Sequence, residues 1–320
     1  MLLAATAARA FDFWLEVAPG QTIYFTIIGG TQSVQVVNPN WDSHTAPSGL
    51  LVIPATVTDG SNNYNVTAID NNAFSGCSAL TGVVIPEGVV SIGRMAFAAC
   101  TALDSISLPS TLTAIGSMAF TGTAFFSNNS HINDQGLLIA DAYIIGSRRS
   151  ISGTVTVPAE VQGLGDMAFY SCDNINRIIL PEGLRFIGQN AFQDCQSLDT
   201  AEMLGTTPPA LASNAFSNIP DLAVLVPCPS AETYRTTEGW SSLTIVEHCP
   251  MGIAASEIPT FKVIASEGGI VITTRDRQHF TVSNIDGLRV AESDGGFVVL
   301  PSHGIYIVSA PGMNAVKVVY

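Results

Sequence analysis

The pair Ala-Phe returns at 73/74, 96/97, 119/120, 168/169, 191/192 and 215/216, so successive phenylalanines stand 23, 23, 49, 23 and 24 residues apart. A unit near 23 residues is too short to close a hydrophobic core alone. Its apolar positions are satisfied only by the copy above and the copy below, which is the logic of a stacked solenoid.

The frame around each pair supports this. Ile69-x3-Ala73-Phe74-x2-Cys77-x2-Leu80-x2-Val83-x-Ile85-Pro86 is followed by Ile92-Gly93-x2-Ala96-Phe97-x2-Cys100-x2-Leu103-x2-Ile106-x-Leu108-Pro109, with later copies from Leu164 to Pro181 and from Ile187 to Met203. Val83-x-Ile85-Pro86 alternates as a strand, apolar side inward, and proline stops it. Strands of successive copies are expected to pair in parallel into a narrow concave sheet. Ile92, Ala96, Phe97 and Cys100 recur at about one helical turn, which predicts a short, loosely helical return on the convex side. The phenylalanines and the cysteines are expected to form buried ladders.

Sequence on either side of the repeats departs from the frame. Residues 2–8 form an apolar run, and Ala8-Arg9-Ala10 fits a signal-peptidase site with Phe11 as the first mature residue. Residues 1–10 thus read as a signal peptide, shortened at its start. Residues 11–46 carry Ile23–Ile27 and Ser33–Val37 around Gly29-Gly30, a hairpin expected to cap the first rung. The repeats occupy 47–249. Within them the double interval between Phe120 and Phe169 leaves a surplus at 127–153, which reads as a hairpin turning at Asp141-Ala142 and inserted into one rung. Beyond Pro227 the pattern dissolves. Residues 250–320 predict strands at 270–273, 280–283, 296–300, 304–309 and 316–320, a small antiparallel sandwich.

At this point the residues carry a resemblance. The frame Ile-Gly-x2-Ala-Phe-x2-Cys-x2-Leu-x2-Ile-x-Leu-Pro resembles the BspA-like leucine-rich repeats of bacterial surface proteins, over roughly Pro47 to Cys249. The tail from Phe280 to Val290, with Gly304 to Val308 and Lys317 to Tyr320, is similar to the C-terminal sorting domains of the type IX secretion pathway in Bacteroidota. The resemblance implies an exported protein at the cell surface, associated with the outer membrane without a transmembrane segment and used in adhesion to host or neighbouring cells. It transfers neither a catalytic residue nor a cofactor. Asp104-Ser105-Ile106 and Asp199-Thr200-Ala201 also resemble a short O-glycosylation motif of that phylum.

Composition narrows the partners. A formal charge of −14 with 12 Lys plus Arg leaves no basic footprint for phosphates, so nucleic acid is not an expected partner. The five histidines, His44, His131, His248, His279 and His303, lie in five separate segments without ligand spacing. No nucleophile elbow or phosphate loop occurs, and the chain reads as a non-enzyme without metal or cofactor. Cys77, Cys100, Cys172 and Cys195 share one repeat position, where buried thiols and rung-to-rung disulfides are both open. Cys228 and Cys249 flank the last rung and could staple it.

Recognition then falls to surface. Outward positions by counting are Val52, Val84, Ser107, Thr156, Ile179, Glu202 and Leu225, beside Gly82, Ser105, Thr154, Arg177 and Thr200. About seven rungs at about 4.8 Å give a strip of only some 300 Å², against about 800 Å² per partner in a standard interface. A host or microbial surface protein is the expected partner, held either with help from the flanking loops and the 127–153 hairpin or by several modest contacts acting together through avidity. The alternative is a glycan, for which Tyr143 on the inserted hairpin would form the platform.

Overall fold

The computed structural model describes residues 11–248, 261–266, 269–274, 279–284, 287–310 and 316–320. The expected signal segment, residues 1–10, lies outside them. The chain divides into two compact units, Met1–His248 and Cys249–Tyr320.

The first unit is a β-solenoid whose rungs each contribute strands to two parallel sheets. The front sheet uses the Val-x-Ile-Pro strands. Gly49–Val52, Leu80–Val84 and Ser105–Ser107 form one section, and Gly153–Thr156, Ile175–Leu180, Thr200–Met203, Ala223–Pro227 and Thr244–His248 form a second. The side sheet was not foreseen. Two-residue strands such as Ser91–Ile92 and Ala114–Ile115 pair in parallel, and Gly163–Leu164, Phe186–Ile187 and Ala210–Leu211 repeat the arrangement further on.

The expected helical return is a turn instead. Asn72, Met95, Met118, Met167, Asn190 and Asn214, each just before Ala-Phe, have φ between 55° and 60°. A left-handed residue breaks any helix there, so the amides point along the stack rather than to a carbonyl four residues back. Asn72, Phe74 and Gly76 donate to the carbonyls of Arg94, Ala96 and Ala98; Met95, Phe97 and Ala99 donate to Ser117, Ala119 and Thr121. The same triplet joins 167–171 to 189–193, and 190–194 to 213–217.

Rungs this close leave no room for a β-carbon at the glycine of Ile-Gly. A Cβ at Gly93 would lie 2.5 Å from the Asn71 nitrogen, at Gly116 2.5 Å from that of Arg94, and at Gly188 2.5 Å from that of Asp166. The same spacing stacks the rings. Phe74, Phe97 and Phe120 follow one another at 5.1 and 5.4 Å, and Phe169, Phe192 and Phe216 at 4.9 and 5.0 Å, with interplanar angles of 16° or less.

Tryptophans close both ends of this column. Trp41 stacks on Phe74 at 6.2 Å and donates its indole N–H to the Ala73 carbonyl. Trp240 lies 6.2 Å from Phe216 and donates to the Pro209 carbonyl. The N-terminal cap is a three-stranded antiparallel ribbon, Phe13–Ala18, Gln21–Ile27 and Ser33–Val37, whose last strand joins the side sheet at Asn63–Ile69. At the other end the pattern does not dissolve after Pro227. The helix Ala231–Thr236 and the strand Thr244–His248 build one more, shortened rung.

The stack is interrupted once. Three residues after Phe120 the cysteine position holds Thr123, whose hydroxyl donates to the Phe120 carbonyl at 2.8 Å and accepts from the Phe126 amide at 3.1 Å. Thr123 thereby N-caps the one-turn helix Ala124–Ser127 where a front strand would begin. The inserted hairpin, Leu137–Ala140 and Tyr143–Ser147, stands in the side sheet and pairs with Gly163–Leu164. The two facing front-sheet edges are closed by side chains: Asp141 accepts from the Leu108 amide at 2.6 Å and Gln135 from the Thr156 amide at 2.8 Å. Such capping keeps open edges from pairing with other chains.

In the second unit two antiparallel sheets, Phe261–Ser266, Gly269–Thr274, Gly296–Val299 and Phe280–Asn284, Arg289–Ser293, Ile305–Ser309, Val316–Val319, share one core with Phe261, Ile270, Phe280 and Val308. The strands at 261–266 and 289–293 were not predicted from sequence.

Two expectations follow. Phe97 is fully buried between two rings, so Phe97→Ala should cost about 3 to 5 kcal/mol in urea unfolding. Asp166 bridges the interruption: its amide donates to the Ile115 carbonyl, and its carboxylate accepts from the amide of Gln189 at 2.7 Å. Burial nonetheless raises its pKa above 3.8, against the lowering by the Gln189 and Ser117 amides. The folded chain thus holds this proton more tightly than the unfolded one, so the contribution is complete below 3.8 and is lost as pH rises through the raised value. Asn71, in the equivalent position, makes the same contact to the Arg94 amide with a neutral oxygen. Asp166→Asn should therefore raise the melting temperature at pH 7, and the gain should shrink towards pH 3.

Candidate binding surface

The outward face of the front sheet is in register. Val52 pairs with Val84 and Val84 with Ser107; Thr156 pairs with Ile179, Ile179 with Glu202, Glu202 with Leu225 and Leu225 with Val246. The neighbouring column runs Thr154, Arg177, Thr200, Ala223 and Thr244. Side chains on one face of such strands lie about 5 Å apart, so each column is continuous within its section.

The columns do not form one strip of seven rungs. Val84 and Ser107 belong to the three-stranded section with exposed Leu50 and Val52, whereas Thr156, Arg177, Ile179 and Glu202 belong to the five-stranded section. The split follows from Thr123, which starts a helix where a strand was due. Five strands at about 4.8 Å and a width near 10 Å give about 200 Å², well below one side of a standard interface.

Polarity on the larger section is concentrated at one ion pair. The Arg177 guanidinium donates to a Glu202 carboxylate oxygen at 2.7 Å, diagonally between the columns, with 39% and 15% of the two side chains exposed. The buried Nε–H of Arg177 has no hydrogen-bond partner among the described residues. Half-buried Ile179 and Leu225 flank the pair, and Leu204 and Val246 are exposed. The arrangement can take up aliphatic contact around a fixed charge pair.

Tyr143 does not join this surface. Its side chain is 1% exposed, and its hydroxyl donates to the Pro109 carbonyl at 2.8 Å. The hairpin packs it inward as an anchor between the two stacks, so it offers no aromatic platform. Cys228 is disulfide-bonded; the proposed partner in sequence, Cys249, lies outside the described residues.

The four ladder cysteines are free and buried. The thiols of Cys100 and Cys195 donate to the carbonyls of Phe74 and Phe169 at 3.1 and 3.0 Å. Burial pushes Cys77, Cys100 and Cys195 up to about 12 and also raises Cys172. Such thiols lack thiolate at neutral pH. His131 lies 3.2 Å from Asp104 and stacks on Phe125; His279 lies 2.9 Å from Asp294, whose hydrogen bond raises its pKa. Among the described residues no group of three His, Cys, Asp or Glu could hold a metal ion, and no helix is long and apolar enough to cross a membrane.

Sequence reasoning missed Trp240, although it stands 24 residues after Phe216, the interval that separates Phe216 from Phe192. Reading Trp as an equivalent of Phe would have found the last rung. The state of the thiols is checked by alkylation: iodoacetamide should leave Cys77, Cys100, Cys172 and Cys195 unmodified in the folded chain and label all of them in guanidinium, read by peptide mapping.

The BspA type leucine rich repeat region matches this chain in 6 copies, over residues 61–135 and 148–236, about half of its length. Among solved structures the chain is similar to a leucine-rich repeat protein of T. pallidum, at 23% identity over 69% of this chain and 90% of that one, with a TM-score of 0.34. A leucine-rich repeat protein from Bacteroides ovatus is similar at 19% identity over 75% and 77%, with a TM-score of 0.35. A leucine rich cell surface protein from Faecalibacterium prausnitzii is similar at 16% identity over 76% and 96%, with a TM-score of 0.22. No curated protein matches the chain.

Proposed function

Because the chain belongs to the BspA type leucine-rich repeat family, we propose that it is an exported repeat protein that binds another protein at the cell surface, on the host or on a neighbouring microbe. The observation that supports this reading is the outward face of the five-stranded section, where Ile179, Leu225 and Val246 line up in register around the Arg177–Glu202 pair. Ordered aliphatic side chains on a rigid sheet present contact area at little entropic cost. The shortfall in area is met by several modest contacts, with avidity from many copies on one cell. The C-terminal sandwich acts as the export and attachment module, in keeping with its resemblance to sorting domains. The protein performs no catalysis.

The glycan reading is not favoured: the aromatic it requires, Tyr143, is buried. The two readings separate on target cells. Labelled protein should bind intact cells, lose binding when those cells are pretreated with trypsin, and keep it after periodate oxidation of their glycans. Ile179→Asp with Leu225→Asp should weaken binding about tenfold or more, equivalent to about 1.4 kcal/mol. Undiminished binding by that variant would show the front sheet is not the surface used, and loss after periodate alone would transfer the proposal to glycans.

A further inference from the structure

The triplet of turn amides that joins rung to rung runs out at the last full turn. Asn190, Phe192 and Asp194 donate to the carbonyls of Ser213, Ala215 and Ser217, but the equivalent amides one rung on, those of Asn214, Phe216 and Asn218, find no acceptor among the described residues. The reason is geometric. The next rung is shortened: its segment 237–243 turns at Gly239, with φ of 84°, and brings Trp240 over Phe216, but its carbonyls accept from none of these three amides.

Between the turn and that segment lies a cleft of about 810 Å³, lined by Leu211, Ser213, Asn214, Phe216, Gly239 and Leu243 among others. Its volume is within the range of about 300 to 1,000 Å³ typical of ligand sites. The strand Ala210–Leu211, part of the lining, pairs among the described residues only with Phe186–Ile187. The opposite end of the stack is finished: the side-chain N–H groups of Asn38 and Trp41 occupy the carbonyls of Asn72 and Ala73.

We propose that this cleft is a binding site for an extended, uncharged peptide segment, independent of the front sheet and beyond the surface-binding reading above. Asn214 and Phe216 line the cleft, Asn218 follows just beyond its lining, and the three open donors stand at i, i+2 and i+4. Carbonyls on one edge of an extended chain recur at the same interval, so a peptide edge satisfies all three. The lining has one charged residue, Glu238, and no cation, which selects against anionic ligands. The aromatic position of the rung is taken by Trp240, fully buried, so the segment brings a small side chain there.

The probe is a synthetic heptapeptide, acetyl-Ile-Gly-Gln-Asn-Ala-Ala-Gln-amide, which repeats residues 187–193 with alanine in place of the phenylalanine. Hydrogen exchange is followed residue by residue on the whole protein. In the free protein the amides of Asn214, Phe216 and Asn218 should exchange much faster than those of Asn190, Phe192 and Asp194, and about 1 mM peptide, the weak end of measurable affinity, should slow all three. Ser213→Trp, which fills the cleft from its exposed rim, should abolish the slowing, whereas Ser107→Trp on the front sheet should not. Fast exchange unchanged by the peptide would overturn the proposal. So would slow exchange in the free protein, because the site would then be held by the chain itself. Neither outcome bears on binding to cells by the front sheet.

Discussion

The stack depends on one constraint, the distance between rungs. Parallel strands fix it at about 4.8 Å, and every other repeat position answers to that spacing. The glycine of Ile-Gly is required because backbone of the previous rung occupies the place of its β-carbon. The phenylalanines lie nearly face to face, at 4.9 to 5.4 Å, although isolated aromatic pairs prefer offset or edge-on contacts. Where another full rung follows directly, the left-handed residue before Ala-Phe turns three amides toward it, so hydrogen bonds lost by having no helix are recovered along the stack. The thiol three residues after phenylalanine uses the same spacing to reach the previous phenylalanine's carbonyl.

A structure built from neighbours alone has two weak places, its ends and any interruption. The beginning is closed by an antiparallel ribbon and by Trp41. The end is closed on the front sheet by Thr244–His248 and in the aromatic column by Trp240, while the turn amides stay open. At the interruption Asp141 and Gln135 supply the acceptors that a neighbouring strand would have supplied, and Asp166 ties the turn after the break to backbone on both sides of it. Placing an acid there is locally unfavourable, since burial opposes its charge.

Much of this was legible in the sequence. The period gave the solenoid, the Val-x-Ile-Pro alternation gave the front sheet and the outward columns, and the surplus at 127–153 gave the hairpin. The side sheet was not legible, because two-residue strands leave no alternation to read. The return read as helical because its apolar spacing matches one helical turn, while the left-handed asparagines and methionines carry no signature in that spacing. Thr123 was a signal passed over: a threonine in the cysteine column is both a hydrogen-bonding substitute and a helix cap. Tyr143 shows the limit of counting, since a tyrosine on a hairpin points inward or outward according to packing that only the fold supplies.

The reading as a surface binding protein rests on family and face, and exposure on the cell is its most direct test. Intact cells of the organism that makes the chain would be treated briefly with protease and the released peptides identified by mass spectrometry. The account predicts peptides from the repeat region 47–248 in the released fraction, before any cytoplasmic protein appears. Recovery of those peptides only after the cells are lysed would contradict it.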